Sequence, residues 1–163
     1  MSAMKISDGV EWAAHACALL ALLPEGVALN AAALAEFHTL PQAYMAKHMQ
    51  ALARAGVVTS VRGARGGYRL ARPPSEVTML DIRIAIEGPG PDFHCREIRR
   101  NGPCASRKTG GAPCTIAAAF WAAETAYRTQ LQTVTVADIV ADLARGMDED
   151  RLERFRAWLG KVL

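Results

Sequence analysis

The run Tyr44-Met-Ala-Lys-His-Met-Gln-Ala-Leu-Ala-Arg-Ala-Gly-Val-Val-Thr-Ser-Val-Arg-Gly-Ala-Arg-Gly-Gly-Tyr-Arg-Leu70 holds, in order, a helix, a stop and a hairpin. Met45, Met49 and Leu52 recur at i, i+4 and i+7, the spacing of one buried helical face. Tyr44 leads this helix, and Gln42, Ala43, Ala46, Lys47, Gln50 and Arg54 are left facing outward. Pro41 suits the opening position, where a backbone N–H would lack a partner anyway, and Gly56 suits the residue just past the end. Two β-rich segments follow, Val57–Val61 and Tyr68–Leu70, separated by Arg62-Gly-Ala-Arg-Gly-Gly67. Short strands around a glycine-rich turn make a hairpin.

Working outward, Ser7 or Asp8 can cap a helix reaching about Leu23, ahead of Pro24 and Gly26. A short alanine-rich helix, about Ala31–Phe37, comes next. Three helices followed by a two-stranded wing is the order of a winged helix-turn-helix. Beyond Pro73 and Pro74, Thr78 can cap a helix over Met79–Glu87. Gly88–Pro113 carries Pro89, Pro91, Pro103 and Pro113 and reads as a loop, with a turn near Arg96–Arg100. A long helix over Thr115–Gln132 then lines up Ile116, Phe120, Ala123, Tyr127 and Leu131 along one side. That stripe calls for a packing partner. Helices near Val136–Arg145 and Asp148–Leu163 complete the chain. The expected fold is therefore mainly α with a small β-wing: a winged helix-turn-helix domain over 1–87, a cysteine loop over 88–114, and a dimerisation helix with C-terminal helices over 115–163.

A net charge of +3 is too small to identify a partner, but its distribution is informative. Between Phe37 and Ser75 there is no Asp or Glu, while Lys47, Arg54, Arg62, Arg65, Arg69 and Arg72 lie there. A one-signed stretch in an otherwise balanced chain suits an acidic polymer. The helix after Pro41 can enter a major groove, and Arg62 and Arg65 on the wing can reach the backbone or minor groove. The glycine-rich segment leads from strand to strand, whereas a dinucleotide-binding loop opens a helix. The apolar run Ala13–Leu23 superficially mimics a signal peptide, but Asp8, Glu11 and His15 spoil the pattern. With no segment apolar enough to span a membrane, a cytoplasmic location is expected.

Four cysteines, Cys17, Cys95, Cys104 and Cys114, are too few for a disulfide scaffold at 163 residues. Cys17 falls on the apolar stripe of the first helix with Val10, Ala14 and Ala21, and reads as packing. The other three share a loop with Arg96, Arg99, Arg100, Arg107 and Lys108, and nearby cations favour thiolates. The tight Cys-x-x-Cys knuckles of structural zinc sites are missing, so a larger inorganic core suits the spacing better. Glu11 and His15, four apart, share a helical face where an oxygen and a nitrogen can converge on one metal; capping and packing are their ordinary alternatives. No nucleophile–base pair is readable, and His94 beside Cys95 is too slight a signal for an enzyme.

The Tyr44–Leu70 run resembles the iron–sulfur-sensing winged-helix transcription regulators of the IscR, NsrR and RsrR type. It has an aromatic-led recognition helix, then Ser-Val-Arg-Gly, two further residues and Gly-Gly-Tyr-x-Leu. Within that family, Cys95-Arg-Glu-Ile-Arg99, Cys114-Thr-Ile-Ala117 and Glu11-Trp-Ala-Ala-His15 match the RsrR-like subgroup. The resemblance implies a homodimer on a palindromic operator in double-stranded DNA, acting as a repressor. It further implies a [2Fe–2S] cluster held by Glu11 and His15 of one subunit and Cys95 and Cys114 of the other. Cys104 is a further candidate ligand, which would suit a [4Fe–4S] nitric-oxide sensor. Trp12, beside the ligands, is a candidate for coupling the cluster to DNA. Ala43, Ala46 and Lys47 occupy the base-reading positions; the alanines depart from IscR, so its operator does not transfer. A cluster-free thiol–disulfide or zinc-responsive regulator on the same scaffold is the alternative.

Overall fold

The structure, a computed structural model, describes residues 6–63, 66–105 and 112–163. Helices α1 (Asp8–Ala21), α2 (Ala31–His38) and α3 (Gln42–Arg54) precede a hairpin of β1 (Val58–Val61) and β2 (Gly67–Leu70). Helices α4 (Met79–Glu87), α5 (Thr115–Thr133), α6 (Val136–Arg145) and α7 (Glu149–Val162) follow, with single 3-10 turns at Pro74–Glu76 and Ile98–Arg100. The molecule is thus mainly helical with a two-stranded antiparallel wing.

Helix α3 forms as its apolar spacing requires: Met45, Met49 and Leu52 are fully buried. Pro41 sits at the N-cap, one place before the helix begins, with an extended ψ of 122°. At the other end Gly56 takes φ +71°, and Val57 N–H donates to the Leu52 carbonyl at 3.0 Å. This left-handed glycine stop satisfies a carbonyl the helix would otherwise leave open. The chain then enters β1, whose Val58 pairs with Leu70 and whose Val61 pairs with Gly67.

The wing also takes a contact from outside the hairpin. Leu29 bridges Tyr68, with Tyr68 N–H donating to the Leu29 carbonyl at 2.7 Å. This close approach explains Gly67, because a β-carbon there would collide with the backbone of Leu29 and Asn30. Asn30 caps α2 by accepting from Ala33 N–H at 2.8 Å.

Two capping boxes clip the second half of the chain to the first. Thr78 and Asp81 exchange bonds at the start of α4, and Thr135 and Asp138 do so at the start of α6. The two caps lie side by side, with Met79 N–H donating to Val134 O at 2.9 Å and Val136 N–H to Val77 O at 2.8 Å. Helix α6 consequently packs on α1. Helix α7 turns back so that Trp158 meets Phe37 of α2, ring centroids 4.6 Å apart. Both final helices lie against the winged-helix unit. Helix α5 differs: of its 19 residues only Ala117 is buried, while Ile116, Phe120 and Trp121 are 67, 53 and 40% exposed. Among the described residues no helix is long and apolar enough to cross a membrane.

Candidate DNA-binding face and cysteine site

The outward face of α3 is as its periodicity predicts. Gln42, Ala43, Tyr44, Lys47, Gln50 and Arg54 are exposed, and Ala46 is half-buried among them. Arg62 is exposed where β1 leaves the sheet, next to Gly63 at φ +116°. Arg65, expected at the same wing tip, lies outside the described residues. One member of the basic stretch is engaged elsewhere: Arg72 pairs with Asp81 at 3.3 Å and donates to the Glu76 carbonyl. The other cations on this face have no carboxylate neighbour in sequence, so the surface is available to phosphate.

Trp12 joins α1 to this face. Its ring stands edge-on to Tyr44 at 6.2 Å and to His48 at 6.0 Å, both on α3. Burial, with Lys47 nearby, pushes the His48 pKa down. Gly9, one turn earlier, sits so close beneath the His48 ring that a β-carbon would have to displace it. The N-terminal half of α1 and the recognition helix are therefore in direct contact.

The cysteine loop is tied down at both ends. Arg83, only 3% exposed, reaches from α4 to Asp92 and Glu87 and donates to the Gly88 carbonyl. Asp92 N–H donates to Glu124 of α5 at 3.1 Å, Phe93 stacks on Phe120 at 4.7 Å, and Trp121 Nε1–H donates to the Phe93 carbonyl at 3.4 Å. Further on, Arg99 grips Glu97 at 2.8 Å and donates to the Ala112 carbonyl at 2.8 Å. This folds Cys95 back towards Cys114, the N-cap residue of α5. The Cys95 thiol donates to Glu97 Oε1 at 3.8 Å and lies close enough to the Cys114 sulfur to favour its thiolate. Backbone N–H groups of Ala117 and Ile116 hold the Cys114 pKa below the ordinary thiol value, with Arg99 adding to the effect. Helix N-termini and guanidinium groups both favour a thiolate, the form that binds soft metals. Cys104 is exposed, and Cys17 is fully buried, its pKa pushed up to about 12 by burial.

Glu11 and His15 are both exposed on one face of α1. They border an apolar groove of about 370 Å³, shared with Tyr127 and Leu131 of α5 and Ile139 of α6. Ser7, not Asp8, is the N-cap residue of α1, and its N–H donates to Glu87. Within one chain the two candidate ligand pairs stay apart. Tyr127 and Leu131 lie about 20–25 Å along α5 from Cys114 at 1.5 Å per residue. Among the described residues no three His, Cys, Asp or Glu side chains converge on a metal-sized site.

A family model described as Rrf2, an iron-dependent transcriptional regulator, matches residues 6–142. The chain belongs to the Rrf2 family. YwgB of Bacillus subtilis, named as an HTH-type transcriptional regulator, is 33% identical over 87 residues; the match covers 53% of this chain and 56% of YwgB, little more than half of each. Among solved structures, IscR of T. potens superimposes with a TM-score of 0.69 at 24% identity, covering 90% of this chain and 93% of that one. CymR, the global cysteine regulator of B. subtilis, gives 0.67 at 24%, covering 85% and 98%. These likenesses establish the fold.

In this Rrf2 regulator the sequence reading passed over the residues that hold the loop. Arg83, Phe93, Glu124 and Arg128 form its anchor, Arg128 pairing with Glu124 at 2.9 Å and donating to the Pro89 carbonyl. The i, i+4 spacing of Glu124 and Arg128 was a readable helix pair, but nothing local announces what else they touch.

Proposed function

We propose that this Rrf2 regulator is a homodimer that binds palindromic operator DNA and responds to a [2Fe–2S] cluster shared between its subunits, as in the RsrR-like subgroup. One observation carries the reading: two cysteines lie side by side at one end of α5, while a carboxylate and an imidazole border a groove at its other end. A two-fold pairing of antiparallel α5 helices exchanges those ends. If the axis passes near the exposed Phe120 and Trp121, residue 114 of one helix falls opposite residue 127 of the other. Half a ligand set from each subunit then completes one site. Covering the exposed apolar side of α5 supplies the driving force for association.

The donor chemistry fits. Cys114 is biased towards thiolate by helix N–H groups, and Arg99 offsets negative charge beside both cysteines. A [2Fe–2S] cluster with mixed sulfur, nitrogen and oxygen ligands supplies a one-electron couple at raised potential. The chain's own residues do the rest. Glu11 and His15 sit one residue before and three residues after Trp12, whose ring leans on Tyr44 and His48 of α3. A shift of α1 at its ligand face therefore reaches the DNA-reading helix through a direct contact. Protein purified anaerobically is expected to be brown and to contain iron and sulfide, with absorption and paramagnetic resonance signals lost in His15→Ala and Cys114→Ala but kept in Cys104→Ala. Colourless protein with stoichiometric zinc contradicts the reading.

The Cys95–Cys114 contact also favours a second reading, a cluster-free thiol switch. A Cys95–Cys114 disulfide in oxidised, iron-free protein that still changes operator affinity would support it.

A further inference from the structure

The buried Arg83 touches both segments that carry candidate ligands. Its guanidinium pairs with Glu87 at 3.1 Å and with Asp92. Glu87 accepts the Ser7 N–H at 3.0 Å, at the start of α1 and one turn before Glu11. Asp92 stands three residues before Cys95, and its own N–H donates to Glu124 of α5 at 3.1 Å. A continuous path of charge-assisted bonds therefore runs Ser7–Glu87–Arg83–Asp92, from the first turn of α1 to the cysteine loop. Both carboxylates lean on one guanidinium that is out of water. Losing either leaves a buried charge poorly compensated, so the two contacts support each other.

The consequence rests on the swapped ligand sets proposed above. In that dimer Glu11 of a chain serves one cluster, while Cys95 of the same chain serves the other. The path through Arg83 then joins two separate clusters. We propose that Arg83 couples the two cluster sites of the dimer, so that they fill in pairs. A cluster on Cys95 fixes the loop, and Asp92 with it. Arg83 and Glu87 in turn hold the Ser7 end of α1, where Glu11 serves the second site. That site meets a ligand already ordered, gives up less conformational freedom on filling, and binds more tightly. The partner subunit carries the same path in the opposite sense, so the coupling is reciprocal.

The test loads full-length metal-free protein anaerobically with limiting ferrous iron and sulfide. Native mass spectrometry then counts dimers holding no, one and two clusters. At half occupancy, independent sites leave about half of the dimers singly loaded, whereas about tenfold coupling leaves about a quarter. The wild type should show the smaller fraction. Arg83→Met strips a buried charge from its partners and risks the fold, so the path is cut at its flanks. Asp92→Asn and Glu87→Gln preserve shape at side chains 40 and 23% exposed, and each should return the singly loaded fraction to about half. Asp142→Asn breaks an exposed pair with Arg145 away from the path and should leave the wild-type distribution. A merely structural role would lower total loading without changing how clusters are shared among dimers. Statistical sharing in the wild type, or a wild-type distribution in Asp92→Asn, overturns the coupling and leaves the shared site standing. Dimers that take up no cluster at all overturn both.

Discussion

Helices α3 and α5 are both amphipathic by sequence, yet they end in opposite circumstances. Helix α3 buries Met45, Met49 and Leu52 completely and shows water a largely polar and basic face that also carries Ala43 and Tyr44. Helix α5 is longer and buries Ala117 alone, leaving Ile116, Phe120 and Trp121 uncovered. The difference separates a finished module from a half-built one. A single chain completes the α3 face, whereas it leaves the apolar side of α5 uncovered, as the proposed pairing with a second copy requires.

The contrast can be sharpened by substitution. Met49→Ala opens a cavity under α3 and should lower stability by about 2–5 kcal/mol in denaturant titration. Phe120→Ser should act on assembly instead, raising the dimer dissociation constant by about tenfold or more in sedimentation equilibrium. If Phe120→Ser left the oligomer unchanged, the exposed side of α5 would not be the interface. Lys47→Ala removes an exposed cation from the finished face. It should weaken operator binding by about tenfold and reduce the salt slope by about one, measured by anisotropy across salt concentrations.

The thiols sharpen the contrast at a smaller scale. A raised pKa keeps a thiol protonated, so Cys17, pushed up to about 12, should resist iodoacetamide until the protein unfolds. A lowered pKa keeps the thiolate as pH falls, so Cys114 in metal-free protein should alkylate with a midpoint below the ordinary 9.0. Arg99→Gln should move that midpoint upward. Mass spectrometry against pH reads all three.

Legibility followed the same division. Every helix and the hairpin could be placed from periodicity, caps and breakers, because those signals are local: α4 and α6 match their expected spans. The Leu29–Tyr68 bridge was missed because Val27–Leu29 is too short to read as a strand. The docking of α7 was missed because Phe155 and Trp158 find Phe37 across most of the chain. At the site, Glu11, His15, Cys95 and Cys114 stood out through motif resemblance. Spacing alone did not explain why Cys95 approaches Cys114; the Arg99 bonds to Glu97 and Ala112 do. The buried Arg83 clamp was equally unreadable, since a lone arginine in a helix usually faces water.

Mixing two defective subunits puts the proposed shared site to its most direct test. Glu11→Ala/His15→Ala and Cys95→Ala/Cys114→Ala chains would be co-expressed, and the iron content and visible absorption of the purified dimers measured. With ligands drawn from opposite subunits, each variant alone is colourless. Each mixed dimer nevertheless holds one intact set, restoring about a quarter of the wild-type signal in a statistical mixture. A mixture as colourless as its parents, with mixed dimers demonstrably present, would contradict the account.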